Sequence, residues 1–158
     1  MLYLDSSVLV KRYVREKGSD AVLSRFEREE PIYTSVLSFA EVHAAIWKKR
    51  ELSAGEKRRL IEEFQTDWFF SLNILELTAV TMAALPSLCE QYSLEDSLRA
   101  GDAIQLSAAI WLRDAIRMRA KGFESSVKTF EFGVSDRQLG KVAAQCGFRV
   151  FDPTLSAG

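Results

Sequence analysis

Short apolar runs alternate with longer amphipathic segments along the whole chain, and this alternation limits the folds that the chain can adopt. The apolar runs have the length of strands and lie at residues 2–4, 32–34, 73–77, 130–134 and 149–151. Strands that alternate with helices pair in parallel, because each helix returns the chain to the same edge of the sheet. The sequence therefore predicts an α/β fold with a parallel sheet of about four to five strands flanked by helices.

The segments between these runs have helical periodicity. The predicted helices cover residues 6–14, 19–29, about 35–50, 53–68, 78–92, about 99 to beyond 111, and 136–146. Two local signals support these boundaries: Ser53 and Glu56 have the spacing of a capping box, and Gly147 is suited to end the last helix. With no repeat or linker in its 158 residues, the chain is expected to form one domain over 1–158.

Composition and charge narrow the class of protein. Hydrophobic residues make up 47% of the chain and charged residues 27%, which is typical of a globular protein in water. No apolar run reaches the roughly 20 residues of a membrane span, and the first residues do not resemble a secretion signal, so we expect a cytoplasmic protein without membrane contact. The net charge of -1 means that any nucleic-acid-binding face must be local. Cys89 and Cys146 are expected to be reduced and buried.

Two aspartates follow predicted strands. Asp5 comes directly after the run 2–4, and Asp136 comes after the run 130–134. Ligands of open parallel sheets bind beyond the carboxyl ends of the strands, so both side chains are expected at the same edge. Each aspartate could instead be a helix N-cap, a position where Asp is favoured. Taken singly, neither residue distinguishes a binding site from a cap.

Glu41 and Asp102 are acids at unusual positions in predicted helices. Glu41 borders a stripe at helical spacing that is expected to be buried, formed by Leu37, Ala40, Ala44 and Trp47. A carboxylate beside a buried stripe loses hydration and needs a partner, although a capping box with Ser38 is another explanation. Asp102 lies near the start of the long helix, where an acid also suits the helix dipole.

The four acids together have a simpler explanation than four separate ones. Carboxylates that are brought close repel one another, and a hard divalent cation removes that cost. Mg²⁺ prefers oxygen ligands and keeps several waters, so a few carboxylates are enough to hold it. Such an ion activates water and offsets the negative charge that grows on a phosphodiester.

Four segments that carry these acids resemble the motifs of the PIN-domain family, in the family's order. They read LYLDSSVLVKRY, TSVLSFAEVHAAI, LRAGDAIQLSAA and FGVSDRQLGKVAAQCGFRVFDP. The resemblance spans nearly the whole chain and implies a single PIN-like domain. Within that family, the sequence resembles the VapC-like toxins of type II toxin–antitoxin systems.

The resemblance implies roles for particular residues. The acidic metal-site positions fall on Asp5, Glu41, Asp102 and Asp136. Supporting hydroxyl positions fall on Ser6 and Ser135. VapC-like proteins are endoribonucleases that depend on Mg²⁺ or Mn²⁺, are usually dimeric and are inhibited by a small antitoxin, so RNA, an antitoxin and a second copy are the expected partners. The chain departs from the family in a longer stretch at 113–128 and in Gln105, where many relatives carry His.

Other functions stay open or fit the sequence less well. A degenerate PIN module that binds RNA or protein without cutting, and an RNA-processing nuclease that is not a toxin, both stay open. A Ser-His-Asp hydrolase is disfavoured because no GxSxG motif accompanies the single histidine, His43, which is expected to be an ordinary helix residue. A haloacid-type phosphatase needs a second acid where Ser7 stands, and a receiver domain needs an Asp where Thr78 stands. Asp152 is expected in a turn near the end of the chain.

The residues 113–121, RDAIRMRAK, form a locally basic segment. Four basic residues against one acid, Asp114, make a net charge of 4 − 1 = +3. We hypothesise that Arg117, Arg119 and Lys121 contact RNA phosphates, which would add affinity that weakens with salt. A solvated helix end, where basic residues suit the dipole, is the alternative.

Overall fold

A five-stranded parallel sheet forms the centre of the protein in the computed structural model, which describes residues 1–93, 98–119 and 130–155. The strands are β1 (Leu2–Leu4), β2 (Ile32–Ser35), β3 (Asn73–Leu75), β4 (Glu131–Gly133) and β5 (Arg149–Phe151). Their order in the sheet is β3-β2-β1-β4-β5, and every neighbouring pair is parallel. The predicted α/β class is confirmed, and β1 lies in the middle between strands from distant parts of the chain.

Seven α-helices flank the sheet within the described residues. They are α1 (Ser6–Leu9), α2 (Ser19–Phe26), α3 (Leu37–Lys48), α4 (Ala54–Phe70), α5 (Leu85–Tyr92), α6 (Ala100–Arg119) and α7 (Arg137–Gln145). The capping box is confirmed, because Ser53 Oγ accepts from the Glu56 N–H and the Glu56 carboxylate accepts from the Ser53 N–H. Gly147, at φ +81°, follows the end of α7 as expected. No helix among the described residues is both long and apolar enough to cross a membrane.

Three predicted helices lose three or more residues at one end, and the helix predicted over 19–29 ends at Phe26. The first α-helix ends at Leu9 and continues as a 3-10 turn over Val10–Arg12. The helix predicted over 78–92 begins only at Leu85, with Pro86 in its first turn, where the missing N–H of proline costs no hydrogen bond. The preceding turns are held by Thr81, whose hydroxyl donates to the Glu76 carbonyl.

The prediction of which face of α3 is buried was wrong. The buried residues of this helix are Ser38, Val42 and Ile46, and Trp47 from the predicted stripe is 48% exposed. Apolar residues surround α3 on more than one side, so periodicity could not choose between the faces. Ser38 is fully buried because its hydroxyl is bonded to Thr34 and to a side chain of α6.

Both faces of β1 are buried, which places its carboxyl end deep in the molecule. Tyr3 packs on one face, with its ring stacked 5.5 Å from that of Phe132, and Leu2 and Leu4 pack on the other. Gly133 allows β4 to approach β1, because a Cβ there would lie 2.6 Å from the Leu4 Cδ2 atom. The residue that follows β1 is therefore held between two packed layers.

The cysteine prediction holds only in part. Neither Cys89 nor Cys146 is in a disulfide, but Cys89 is exposed on α5 and Cys146 is half-buried. The short helix α5 turns its buried side, at Leu88 and Tyr92, toward α6. Cys89 lies next to that side rather than on it, so its burial could not be deduced from composition.

Candidate functional site

Four acids that are far apart in the sequence line one concavity of about 370 Å³ at the carboxyl edge of the sheet. Its lining residues are Asp5, Ser6, Ser7, Glu41, Arg99, Gly101, Asp102 and Asp136. Each acid comes from a different element: the end of β1, helix α3, the first turn of α6 and the segment after β4. The structure therefore brings together all four predicted acids and Ser6.

Asp5 is both an N-cap and a member of this concavity. Its Oδ2 atom accepts a hydrogen bond of 3.0 Å from the Ser7 N–H at the start of α1. Only 4% of Asp5 is exposed. The pKa of its carboxyl is raised to about 6, chiefly by burial; hydrogen bonds from Ser7 oppose the shift, and the charges of Glu41 and Asp102 add to it. The charged form of Asp5 is therefore destabilised, and a bound cation would lower that cost in free energy.

Asp136 also combines the two roles that its position in the sequence left open. Its Oδ1 atom caps α7 by accepting from the N–H groups of Gln138 and Leu139, at 2.8 and 3.0 Å. Its Oδ2 atom accepts from the Arg99 Nη2 atom at 2.9 Å. The cap holds one oxygen against α7 while the other faces the concavity.

Glu41 is positioned by a neighbouring helix rather than by its own. Its Oε2 atom accepts from the Gln105 Nε2 atom at 2.8 Å. Its Oε1 atom lies where Gly101 leaves room, since a Cβ on Gly101 would be 3.1 Å from it. The capping box proposed with Ser38 is wrong, because α3 begins at Leu37 and the Ser38 hydroxyl bonds elsewhere.

Arg99 supplies a cation to the acid cluster. Its Nε atom donates to Asp102 Oδ2 at 3.0 Å, and its Nη2 atom donates to Asp136 at 2.9 Å. The side chain is 71% exposed, so these contacts are screened by water and individually weak. Within residues 1–93, 98–119 and 130–155, no three acidic, histidine or cysteine side chains are arranged to hold a metal ion.

Two serines tie the ends of β1 and β4 together. The Ser7 hydroxyl accepts from the Ser135 N–H at 3.1 Å. Ser135 does not line the concavity, but its own hydroxyl is buried and has no hydrogen-bond partner among the described residues. A buried hydroxyl without a partner costs free energy, so this atom is a candidate contact for water or for a ligand.

The sequence interpretation missed Ser7, Arg99 and Gly101 as site residues and gave Gln105 no role. Ser7 could have been found, because its N–H lies at the position that an Asp N-cap bonds. Arg99 stands three residues before Asp102, a spacing at which helical side chains meet. Gln105 on α6 contacts residues of β1, β2 and α3, and no local sequence pattern predicts such contacts.

The remaining candidates fall outside the concavity. His43 behaves as an ordinary helix residue, half-buried beside Phe39, and its Nδ1 atom lies 2.6 Å from the Phe39 carbonyl oxygen. Asp152 forms a turn in which its Oδ1 atom accepts from the Thr154 N–H. Both agree with the sequence interpretation.

Only part of the basic segment at 113–121 can be located. Arg113 is a packing residue: its side chain is 12% exposed, lies over the Phe148 ring and donates to the Cys146 carbonyl. Arg117 and Arg119 are exposed at the end of α6, and Arg117 lies 4.0 Å from Asp114. Lys121 and most of the longer stretch 113–128 lie outside the described residues. The RNA-contact hypothesis therefore rests on Arg117 and Arg119.

The protein has an α/β fold in which carboxylates gather at the carboxyl edge of a parallel sheet. A comparison with models of protein families identifies its family. The model of the PIN domain matches residues 2–117, and the chain belongs to the PIN-domain family. PIN domains are in general nucleases, and PIN nucleases generally use divalent metal ions. A comparison with curated proteins finds no match.

Two solved structures share the fold. FitAcB from Neisseria gonorrhoeae has a TM-score of 0.59 and 19% identity, with 97% of this chain and 98% of that chain covered. FitAB bound to an IR36 DNA fragment has the same TM-score and identity, with 98% and 96% covered. At this level of identity, the likeness concerns the fold.

Proposed function

We propose that this protein is a metal-dependent endoribonuclease and the toxin of a type II toxin–antitoxin pair of the VapC-like kind. The observation that carries the proposal is the meeting of Asp5, Glu41, Asp102 and Asp136 in one concavity from four separate elements. A structural explanation of each acid alone does not account for their convergence, since like charges repel. Membership of a nuclease family supports the same conclusion.

The residues fit a divalent cation by the chemistry of their donors. Mg²⁺ or Mn²⁺ takes oxygen ligands, and Asp5, Asp102, Glu41 and Asp136 would hold it. The ion supplies Lewis acidity: it makes water a stronger nucleophile and offsets the negative charge that grows on the phosphodiester.

The protein's own side chains prepare this chemistry. Backbone N–H groups hold one oxygen each of Asp5 and Asp136, and Gln105 holds one oxygen of Glu41, so three carboxylates present defined oxygens. Arg99, when released from Asp102 and Asp136, stays at the exposed rim and pairs with an RNA phosphate. Hydrolysis adds water across one P–O bond and leaves a phosphate on one fragment and a hydroxyl on the other.

The activity is tested with the purified chain and end-labelled single-stranded RNA. We expect cleavage with MgCl₂ or MnCl₂, and none when EDTA is in excess of the metal, because the acids alone cannot offset the negative charge that grows on the phosphodiester. Restoring Mn²⁺ should restore cleavage. The Asp102→Asn variant, purified in the same way, controls for contaminating nucleases. Cleavage that persists in excess EDTA would contradict the metal-dependent mechanism.

A second prediction concerns Arg99, which competes with the metal for Asp102 and Asp136. Removing it by Arg99→Ala should tighten Mn²⁺ binding in the absence of RNA by up to about fivefold, since exposed ion pairs are worth at most about 1 kcal/mol. Binding is measured by electron paramagnetic resonance of free Mn²⁺. Arg15→Ala, which removes an equally exposed arginine from its pair with Asp20, is the control and should not change the affinity. Unchanged or weaker Mn²⁺ binding in Arg99→Ala would show that Arg99 does not compete.

The partners follow from the toxin proposal. The proposed toxin acts on RNA, binds a small antitoxin, forms a homodimer and is located in the cytoplasm. A small open reading frame next to the gene, whose product binds this chain and stops cleavage, is the expected finding. Absence of such a product, with cleavage intact, would favour an RNA-processing nuclease.

One observation favours a second candidate, a PIN module that binds RNA without cutting it. No described group of three ligand-type side chains is arranged to hold an ion as it stands. Titration with Mn²⁺ separates the candidates: the nuclease binds the ion and cuts RNA, whereas the degenerate module binds RNA in EDTA and does neither.

A further inference from the structure

A chain of buried polar side chains runs behind the acid cluster, and Gln105 stands at its centre. Gln105 lies on α6 one turn after Asp102 and is 0% exposed. Its Oε1 atom accepts from the Tyr3 hydroxyl at 2.8 Å and from the Ser35 hydroxyl at 2.9 Å. Its Nε2 atom donates to Ser38 Oγ at 3.0 Å and to Glu41 Oε2 at 2.8 Å. All four hydrogen-bonding positions of the amide are therefore used.

The donors and acceptors of this network allow only one orientation of the amide. Thr34 gives its hydroxyl proton to the Leu4 carbonyl, so Ser38, 2.7 Å away, must donate to Thr34 and accept from Gln105. On the other side of the amide, the Tyr3 and Ser35 hydroxyls both donate. The amide oxygen must face these two hydroxyls, and the NH₂ group must face Glu41.

This orientation fixes the direction of the Glu41 carboxylate. The Nε2 atom offers a proton, so the Glu41 Oε2 atom is an acceptor and that oxygen is held back toward α6. The Oε1 atom is placed beside Gly101, at the wall of the concavity. One oxygen is thus taken by the amide and the other is presented to the site.

We propose that Gln105 is a positioning residue for the proposed metal site, which sets the direction of the Glu41 carboxylate through a hydrogen-bond chain anchored on β1 and β2. The inference rests on the proposed function and adds to it a residue outside the ligand set. Satisfying the buried Tyr3 and Ser35 hydroxyls requires only the amide oxygen, whereas the NH₂ group is the part that bonds the Glu41 carboxylate. Partners that orient a metal ligand typically contribute about 10- to 100-fold to metal affinity.

The test compares the Mn²⁺ affinity of the full-length wild type and of Gln105→Met, which keeps the length of the side chain and removes its polar atoms. We expect the dissociation constant to rise about tenfold or more. Ser107→Ala is the matched control: Ser107 is buried on the same helix and donates to the Thr81 carbonyl, away from the acids. Its Mn²⁺ affinity should stay within about twofold of the wild type, as expected for a substitution outside the ligand's supporting shell.

A double-mutant cycle with Glu41→Ala separates positioning from general damage. If Gln105 acts through Glu41, then Gln105→Met should weaken Mn²⁺ binding much less in the Glu41→Ala background than in the wild type. Equal weakening in both backgrounds would overturn the inference, since the effect would not pass through Glu41. The kcat for RNA cleavage should fall with little change in KM, because the RNA contacts are untouched.

Removing the amide leaves two buried hydroxyls without an acceptor, so Gln105→Met could fail to fold. Tyr3→Phe and Ser35→Ala added to Gln105→Met remove both hydroxyls together and lessen that cost. The triple variant should then show the same loss of Mn²⁺ affinity. If the wild type binds Mn²⁺ and the folded variant binds it equally well, the inference fails alone. If the wild type binds no Mn²⁺, the proposed function fails and this inference with it.

Discussion

Asp102→Asn is expected to lower the rate of RNA cleavage by about 100-fold or more, because it weakens the hold on the cation that would offset the negative charge growing on the phosphodiester. The substitution keeps the shape of the side chain and removes a negative charge from the concavity. It also removes the charge of the ion pair with Arg99, whose side chain is 71% exposed, so the loss contributes little to folding. The rate is measured with labelled RNA at saturating Mn²⁺.

The same variant should remain folded. Asp102 raises the pKa of the buried Asp5 carboxyl, so its removal relieves repulsion while it loses one exposed ion pair. The free energy of unfolding of the metal-free protein is therefore expected to change by no more than about 1 kcal/mol. Asp114→Asn, on the same helix and 51% exposed, is the control and should cleave RNA like the wild type. Full activity of Asp102→Asn would remove this residue from the site.

Arg25→Ala is expected to cause a large loss of stability. The Arg25 side chain is 7% exposed and is bonded to Glu30 at 2.7 Å and to Glu131 at 2.6 Å. Its guanidinium also lies over the Phe151 ring at 4.9 Å. Truncation leaves two largely buried carboxylates without this cation, which typically costs about 3–5 kcal/mol. Denaturation by urea measures the loss.

The control for Arg25 is an exposed pair. Arg59 and Glu63 lie 3.7 Å apart at 71% and 55% exposure, and Arg59→Ala should change stability by less than about 1 kcal/mol. Equal small losses for both variants would mean that the buried network does not stabilise the fold. The Mn²⁺ affinity of folded Arg25→Ala should not change, because Arg25 does not line the concavity.

The contribution of this network should depend on pH in one direction. Burial acts to raise the pKa of the Glu30 carboxyl, but Arg25 and the terminal ammonium outweigh it and hold the pKa below the ordinary 4.5. A carboxyl whose pKa is lowered by folding stabilises the protein above the unfolded value and loses that contribution as the pH falls through the folded value. The difference between wild type and Arg25→Ala should therefore shrink below pH 4.5.

The sequence by itself determined the elements and much of the site. Strand–helix alternation predicted the parallel sheet, and the capping box at Ser53 and the stop at Gly147 were correct, because each depends on hydrogen bonds among residues three or four apart. Asp5 and Asp136 were placed at one edge by the rule that parallel strands end together. The dual role of each, as cap and as member of the concavity, follows from the same position.

Only the tertiary structure decided how the acids are supported. Arg99 reaches Asp136 across 37 residues of sequence, and Gln105 reaches Tyr3 across 102. Such contacts depend on the strand order β3-β2-β1-β4-β5 and on the face that each helix buries. For α3, that face was predicted wrongly, because apolar residues lie on several sides of the helix and only packing against the neighbouring elements selects Val42 and Ile46. Local periodicity records which residues can be buried, whereas the packing of distant elements decides which of them are, and therefore where Glu41 points.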